Sequence, residues 1–103
     1  RKSLDDFAKT VIHARPRFSA ELERLATYTA PCIVVEADLD AVLRGLRAEE
    51  IRDVSPTSLL GAALQITLQY HVPVFWCGSR QAACRFTESY LRMFVRLRAK
   101  DLA

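Results

Sequence analysis

The sequence predicts an α/β fold in which helices cover a mostly parallel sheet, and three observations support this. Two short apolar runs rich in β-branched residues, 31–36 and 72–77, are typical of strands that are buried on both faces. Helical periodicity precedes and follows each run, so strands and helices alternate. A chain of 103 residues with 50% hydrophobic content is large enough to bury a core, and we expect a single domain over 1–103.

The first two helices are predicted from apolar positions that recur at helical spacing. Ser3 precedes the first helix as its cap, and Asp6 follows three residues later as in a capping box. This helix is expected to end near His13, because Pro16 disfavours a helical Arg15. Pro16 itself suits the first position of the second helix. The apolar faces consist of Leu4, Phe7, Ala8 and Val11, then Phe18, Leu22 and Leu25.

Two more helices are predicted between the apolar runs. Asp38 can cap a short helix over 37–46, and the charged stretch 47–54 is expected to be a solvated connection. A further helix over 56–70 starts with Ser55 as its cap and a proline at its first position. Its apolar residues cover more than one face, so this helix lies inside the domain or packs on a partner.

The last helix is predicted to begin at about Arg80, after a turn at Gly78. Its inward positions are expected to be Phe86, Tyr90, Met93, Phe94 and Leu97. A basic stripe on the same helix consists of Arg85, Arg92, Arg96 and Lys100. Such a stripe either contacts phosphates or is simply the solvated face of an amphipathic helix.

Charge and cysteine content leave several classes of protein open. The net charge of +3 and the pI near 9.0 are compatible with nucleic acid binding but do not require it. No run of about 18 apolar residues is present, and no signal peptide opens the chain, so neither a membrane span nor secretion is predicted. Cys32, Cys77 and Cys84 form no CxxC pair and are expected to be buried free thiols in a reducing compartment.

The first residues of the chain suggest a catalytic site. Two strands would make a thin sheet, so Arg1 and Lys2 are predicted to end a further strand, with more strands upstream. Because strand side chains alternate, a carboxylate just before Arg1 would share a face with Lys2. A carboxylate beside a lysine can hold a metal ion that activates water, while the ammonium stabilises charge on a phosphate. Asp6, one turn into the helix, could reach back to either cation, or could act only as a capping residue.

The same residues resemble a known motif. Arg1, Lys2 and Asp6 resemble the Glu-Arg-Lys-x-x-x-Asp box of the XPF-type structure-specific endonuclease domain, whose Glu would precede Arg1. Two segments are similar to that family's Gly-Arg-x-Arg-Phe-x-x-Gln/Glu-Leu and Val-Val-Glu-Gly segments, with Ala14 and Ala37 in place of the two glycines. The matching segments follow the family's order and are 15–22, 34–37, 54–61 and 72–76.

This resemblance implies a restriction-endonuclease-like α/β/α sandwich, of which this chain would be the C-terminal part. It also implies cleavage of branched or flapped DNA in repair or recombination, with Mg²⁺ or Mn²⁺ as the metal. The first strands and the acidic metal ligands are expected upstream of Arg1. The chain alone is therefore expected to be inactive.

The resemblance also assigns roles to individual residues. Lys2 is the catalytic lysine, Arg1 the arginine of the box and Asp6 its downstream acid. The main-chain carbonyl of Arg1 is expected to lie near the metal. Arg15 and Arg17 match arginines at a helix start that would approach the DNA backbone.

The role of Glu36 has two possible interpretations. Glu36 ends a buried strand and either orients Arg1 or Lys2 from behind the site or pairs with a helix N-terminus.

The function also has an alternative. The rival function is a non-catalytic DNA-binding or dimerisation module of the same fold. A small-molecule-binding α/β domain would require a glycine-rich phosphate loop, which the sequence lacks. The expected partners are DNA and either a second copy or a related subunit, in an intracellular compartment and without a membrane.

Overall fold

A computed structural model describes the backbone of residues 1–13, 15–44 and 56–102, and the side chains of residues 1–11, 16–44 and 58–100. Within these ranges the chain forms three strands and five helices. In order they are β1 (Lys2–Ser3), α1 (Leu4–His13), α2 (Arg15–Leu25), β2 (Ile33–Glu36), α3 (Leu39–Leu43), α4 (Pro56–Tyr70), β3 (Val74–Trp76) and α5 (Arg80–Leu102).

The strands form one parallel sheet in the order β1-β2-β3. In β1, Lys2 pairs with Val35 and Ser3 with Glu36. In β3, Trp76 lies beside Val35 on the other edge of β2. The parallel sheet and the placement of Lys2 in a strand confirm the predicted α/β fold.

The main core lies between the sheet and the helices α1, α2 and α4. Phe7 of α1 is fully buried, and its ring meets Trp76 edge-on at 5.7 Å. Edge-to-face contact is a preferred arrangement of aromatic pairs. The side chains that share this core are Leu4, Phe7, Ala8, Val11, Phe18, Leu22, Ile33, Val35, Ala37, Val42, Leu59, Ala63, Ile66 and Val72.

Helix α5 covers the opposite face of the sheet. Phe75 alternates with Trp76 along β3, and its ring lies 4.8 Å from that of Phe86 and 6.3 Å from that of Tyr90. The Tyr90 hydroxyl also donates a hydrogen bond to the carbonyl oxygen of Ala30 at 2.8 Å. With helices on both faces, the arrangement is an α/β/α sandwich, consistent with a restriction-endonuclease-like fold.

The start of α1 agrees with the sequence, whereas the start of α2 corrects it. Ser3 caps α1, because its hydroxyl accepts a hydrogen bond from the amide of Asp6 at 3.2 Å. Helix α2 begins at Arg15, so Arg15 is helical and Pro16 is the second residue of the helix rather than the first. The missing amide of Pro16 still costs no helical hydrogen bond, since the first four amides of a helix have no acceptor within it. The steric cost at Arg15 is offset by the packing of Phe18 and Leu22 of the same helix in the core.

The middle of the chain also follows the predicted pattern where it is described. Asp38 caps α3 by accepting a hydrogen bond from the Ala41 amide at 3.3 Å, although the helix is shorter than the predicted 37–46. The predicted solvated connection over 47–54 and the cap at Ser55 lie outside the described residues.

Helices α4 and α5 expose more apolar surface than the sequence indicates. In α5, Met93 and Leu97 are 47% and 52% exposed, so their prediction as inward residues was wrong. The reason is length, because a helix of 23 residues spans about 35 Å and outreaches a sheet whose longest strand has four residues. In α4, Leu64 and Leu68 face solvent while Leu59 is buried.

The cysteines are free, as predicted, but they are less buried than expected. Cys32 and Cys77 are half-buried, and Cys84 is exposed on α5. Cys84 lies near the start of α5, in the outer layer of the sandwich, on the side of the helix that faces solvent. Separately, no helix of the described residues is long and apolar enough to cross a membrane.

Replacing Phe7 by Ala is expected to lower the free energy of unfolding by about 3–5 kcal/mol, because it removes a fully buried ring and its contact with Trp76. Urea denaturation followed by Trp76 fluorescence measures the change. Leu68→Ala is the control, since Leu68 is 74% exposed and its loss should cost at most about 0.5 kcal/mol. Equal losses in the two variants would contradict the core described here.

Alkaline pH is expected to destabilise the domain. Burial raises the pKa of the Cys32 thiol above its ordinary value of 9.0 and the pKa of the Tyr90 hydroxyl above 10.0. The folded state therefore keeps protons that the unfolded chain releases. These two groups should accordingly give no pH dependence below about pH 8 and should lower the free energy of unfolding as the pH rises through these values. Urea denaturation across this range measures the decline, and Tyr90→Phe should make it shallower. An unchanged slope in that variant would contradict the assignment.

Candidate active site at the first strand

Lys2 of β1 and Arg1, the residue just before the strand, direct their side chains to opposite faces of the sheet. The Lys2 ammonium donates a hydrogen bond to the Thr10 hydroxyl of α1 at 3.4 Å. The Arg1 guanidinium forms an ion pair with Glu36 and contacts the Cys84 thiol of α5. This division follows from the alternation of side chains along a strand. The two cations therefore have different polar partners, although both line a larger cavity beside α2.

On the α1 side, Lys2 lines a cavity of about 180 Å³. Lys2 is half-buried there, and Arg17 of α2 faces the same space. The cavity thus has two cations and one carboxylate, that of Glu21. Its volume leaves room for several water molecules, each of which occupies about 30 Å³ in the liquid. The complete lining is Lys2, Thr10, Arg17, Phe18 and Glu21.

A second and larger cavity of about 470 Å³ adjoins the first and shares Lys2, Phe18 and Glu21 with it. Its remaining wall is mainly apolar and comes from α2 and the start of β2. Arg1 and Arg24 are its other basic residues, so positive charge borders both cavities. The two cavities thus lie side by side along α2. A polyanion is the ligand that this charge distribution favours.

Thr10 links the Lys2 side chain to helix α1. Its hydroxyl donates a hydrogen bond to the main-chain carbonyl of Asp6, four residues earlier, at 2.7 Å. The same oxygen accepts the hydrogen bond from Lys2. The lysine ammonium is therefore held by a neutral acceptor on a helix whose opposite face is buried in the core.

On the α5 side, Glu36 holds Arg1. The distance from Arg1 Nε to Glu36 Oε1 is 2.9 Å, and the Glu36 side chain is only 15% exposed. Of the two arrangements that the sequence left open, the structure thus has Glu36 facing Arg1 rather than a helix N-terminus. The nearby Cys84 thiol also contacts the guanidinium, which fixes Arg1 between β2 and α5.

The Asp6 carboxylate does not reach back to either cation. Asp6 is exposed, and among the described residues it forms no ion pair with Arg1 or Lys2. The geometry explains this, because Lys2 is drawn one turn further along α1 to Thr10 while Arg1 lies on the other face of the sheet. Of the two arginines predicted to approach DNA, Arg17 lines the Lys2 cavity. The side chain of Arg15 lies outside the described part of the chain.

Three residues near the site were not identified from the sequence. Thr10 lies four residues after Asp6 on the predicted helix, so helical spacing alone could have placed it beside Lys2. Glu21 occupies the Gln/Glu position of the matched segment and could have been found there. Cys84 is 83 residues from Arg1, and no sequence pattern connects the two.

The described residues do not by themselves fit a divalent cation. No group of three or more His, Cys, Asp or Glu side chains within the described ranges is arranged to hold a metal ion. Such a cation prefers several oxygen ligands, and the Lys2 cavity offers the single carboxylate of Glu21.

Comparison with known protein families identifies the domain. The family model described as the ERCC4 domain matches residues 1–90. The chain belongs to the ERCC4 domain family. This confirms the resemblance to the XPF-type endonuclease domain, and the ERCC4 domain is a nuclease domain involved in DNA repair whose members generally depend on divalent metals. Neither a curated protein nor a solved structure matches the chain.

In this ERCC4 domain, replacing Glu36 by Gln is expected to lower the free energy of unfolding by about 0.5–1 kcal/mol, because Arg1 loses its charged partner. The loss should shrink at high salt, which screens the interaction. Urea denaturation at low and high salt measures both effects. Glu88→Gln is the matched control, since its pair with Arg92 is solvent-exposed and should contribute less. An equal or smaller effect at Glu36 would contradict the partly buried pair.

Proposed function

We propose that this ERCC4 domain is the catalytic domain of a metal-dependent endonuclease that cleaves branched or flapped DNA in repair or recombination. One observation supports this proposal above all. The Lys2 ammonium lies in a half-buried cavity together with Arg17, and its hydrogen-bond acceptor there is neutral. Its positive charge is therefore available to a phosphate.

The chain's own residues supply electrostatic stabilisation in this proposal. A water oxygen bonds to phosphorus and gives up one proton, the bond from phosphorus to the leaving oxygen breaks, and that oxygen takes up one proton, so no net proton is gained or lost. Negative charge builds up on the phosphate oxygens, and the Lys2 ammonium stabilises it. Arg17 binds phosphate oxygens through its guanidinium, which suits such contacts. Glu21 can accept a hydrogen bond from a water molecule in the cavity.

The other predicted site residues have supporting roles in the proposal. Arg1 is held by Glu36 and contributes positive charge behind the site, and Asp6 adds its charge at the start of α1. Arg15 contacts the DNA backbone beside Arg17. Mg²⁺ or Mn²⁺, if bound, would activate water and neutralise phosphate charge, and the main-chain carbonyl of Arg1 would be the one ligand expected from this chain. We further propose that residues 1–103 are one nuclease-like domain that acts inside the cell, where its DNA substrate lies.

A second candidate function is a non-catalytic DNA-binding or dimerisation module of the same fold. Exposed apolar side chains on α5 favour it, and they are Leu91, Met93, Val95 and Leu97. At helical spacing, Leu91 and Val95 share one side of α5, and Met93 and Leu97 share another. A second copy or a related subunit that packs around this end of the helix would cover them.

Lys2→Ala is expected to reduce cleavage of a labelled flap DNA in Mn²⁺ or Mg²⁺ by about 10²–10³-fold, because it removes a charge aimed at the reacting phosphate. The measurement is the single-turnover cleavage rate of the natural protein that carries this domain. Lys9→Ala is the matched control, since Lys9 is an exposed lysine on α1 that pairs with Asp5 at 2.9 Å. That variant should cleave at the wild-type rate.

Three results would count against the proposal. Equal cleavage by wild type and Lys2→Ala would remove Lys2 from the reaction. Full activity in a metal chelator would remove the divalent cation. Tight binding of flap DNA by the wild type without cleavage would favour the non-catalytic module.

A further inference from the structure

We propose that Thr10 is a positioning residue that holds the Lys2 ammonium inside the cavity through a neutral acceptor rather than through a carboxylate. The catalytic part of this inference rests on the proposed nuclease function. The geometric part concerns only Thr10, Lys2 and the carbonyl of Asp6. The two parts have separate measurements.

The direction of the two hydrogen bonds is fixed by the single hydrogen of the threonine hydroxyl. Thr10 Oγ1 lies 2.7 Å from the carbonyl oxygen of Asp6, which can only accept, so the hydroxyl hydrogen is directed there. Only lone pairs remain to face Lys2, whose Nζ lies 3.4 Å away. An ammonium has three donors and no acceptor, so the match is complete. Thr10 thus accepts a hydrogen bond from the lysine and donates one to the helix backbone.

The neutrality of the acceptor matters for the charge of Lys2. Among the described residues no carboxylate forms an ion pair with Lys2, whereas Arg1 has Glu36 and Lys9 has Asp5. A carboxylate would hold the ammonium equally well but would cancel much of its attraction for phosphate. A hydroxyl orients the ammonium and leaves that attraction intact.

Thr10 is also a stiff support. A β-branched side chain has few rotamers in a helix, and a hydroxyl bonded four residues back is locked in one of them. Thr10 is half-buried, and its neighbour Val11 packs in the core at 3% exposure. A lysine side chain has four rotatable bonds and is mobile unless it is held. The hydrogen bond to Thr10 therefore restricts the motion of the Lys2 ammonium relative to α1.

The test uses Thr10→Val, which keeps the shape and the β-branch but removes the hydroxyl, and Thr10→Ser, which keeps the hydroxyl. In Thr10→Val, kcat for flap DNA should fall by about tenfold while KM changes little, because the ammonium is misplaced rather than lost. Thr10→Ser should restore the wild-type kcat. Thr10→Ala replaces the Val variant if the latter does not fold.

A measurement without DNA or metal examines the hydrogen bond itself. The sequence contains three lysines, Lys2, Lys9 and Lys100, so their terminal methylene groups can be followed by NMR relaxation with ¹³C-labelled lysine. Lys2→Arg assigns its signal. Lys2 should be more rigid than Lys100 in wild type and in Thr10→Ser, and should become as mobile as Lys100 in Thr10→Val.

The outcomes separate this inference from the proposed function. Equal Lys2 mobility in wild type and Thr10→Val would overturn the positioning role, whatever the activity. Lys2 mobility that rises in Thr10→Val without a fall in kcat would overturn the catalytic part. A wild-type protein that never cleaves DNA would end the nuclease proposal, and the relaxation data would still decide whether Thr10 holds Lys2.

Discussion

The parallel pairing of β1 with β2 is the constraint on which the candidate site depends. Only two residue pairs form it, Lys2 with Val35 and Ser3 with Glu36. Because strand side chains alternate, this register sends the lysine towards α1 and α2 and the arginine towards Glu36 and α5. A shift of one residue would exchange the two cations between the faces, separating Lys2 from its threonine acceptor and Arg1 from its carboxylate partner.

Much of this architecture could be predicted because local chemistry determines it. The β-branched run that became Ile33–Glu36 is apolar enough to require cover on both faces, which identifies a parallel strand. Ser3 and Asp38 each stand just before a helix, where their side-chain oxygens accept hydrogen bonds from amides of the first turn. The opposite directions of Arg1 and Lys2 follow from the period of a strand alone.

The features of the fold and the site that could not be predicted depend on contacts between distant elements. The exposure of Met93 and Leu97 depends on how far the sheet extends beneath α5, and periodicity contains no information about that length. Arg15 is helical despite the proline after it, because the packing of α2 outweighs the preference of a residue before proline for extended backbone. The meeting of Lys2, Arg17 and Glu21 in one cavity requires the crossing of α1 and α2, which no spacing along the chain specifies.

The contact between Arg1 and Cys84 has a consequence for the order in which the domain assembles. It joins residues 83 positions apart, so closing it requires nearly the whole chain to be in place, and contacts of such separation are entropically costly to form early. Arg1 therefore reaches its final surroundings between β2 and α5 late in folding, after the helix that ends the chain has packed on the sheet.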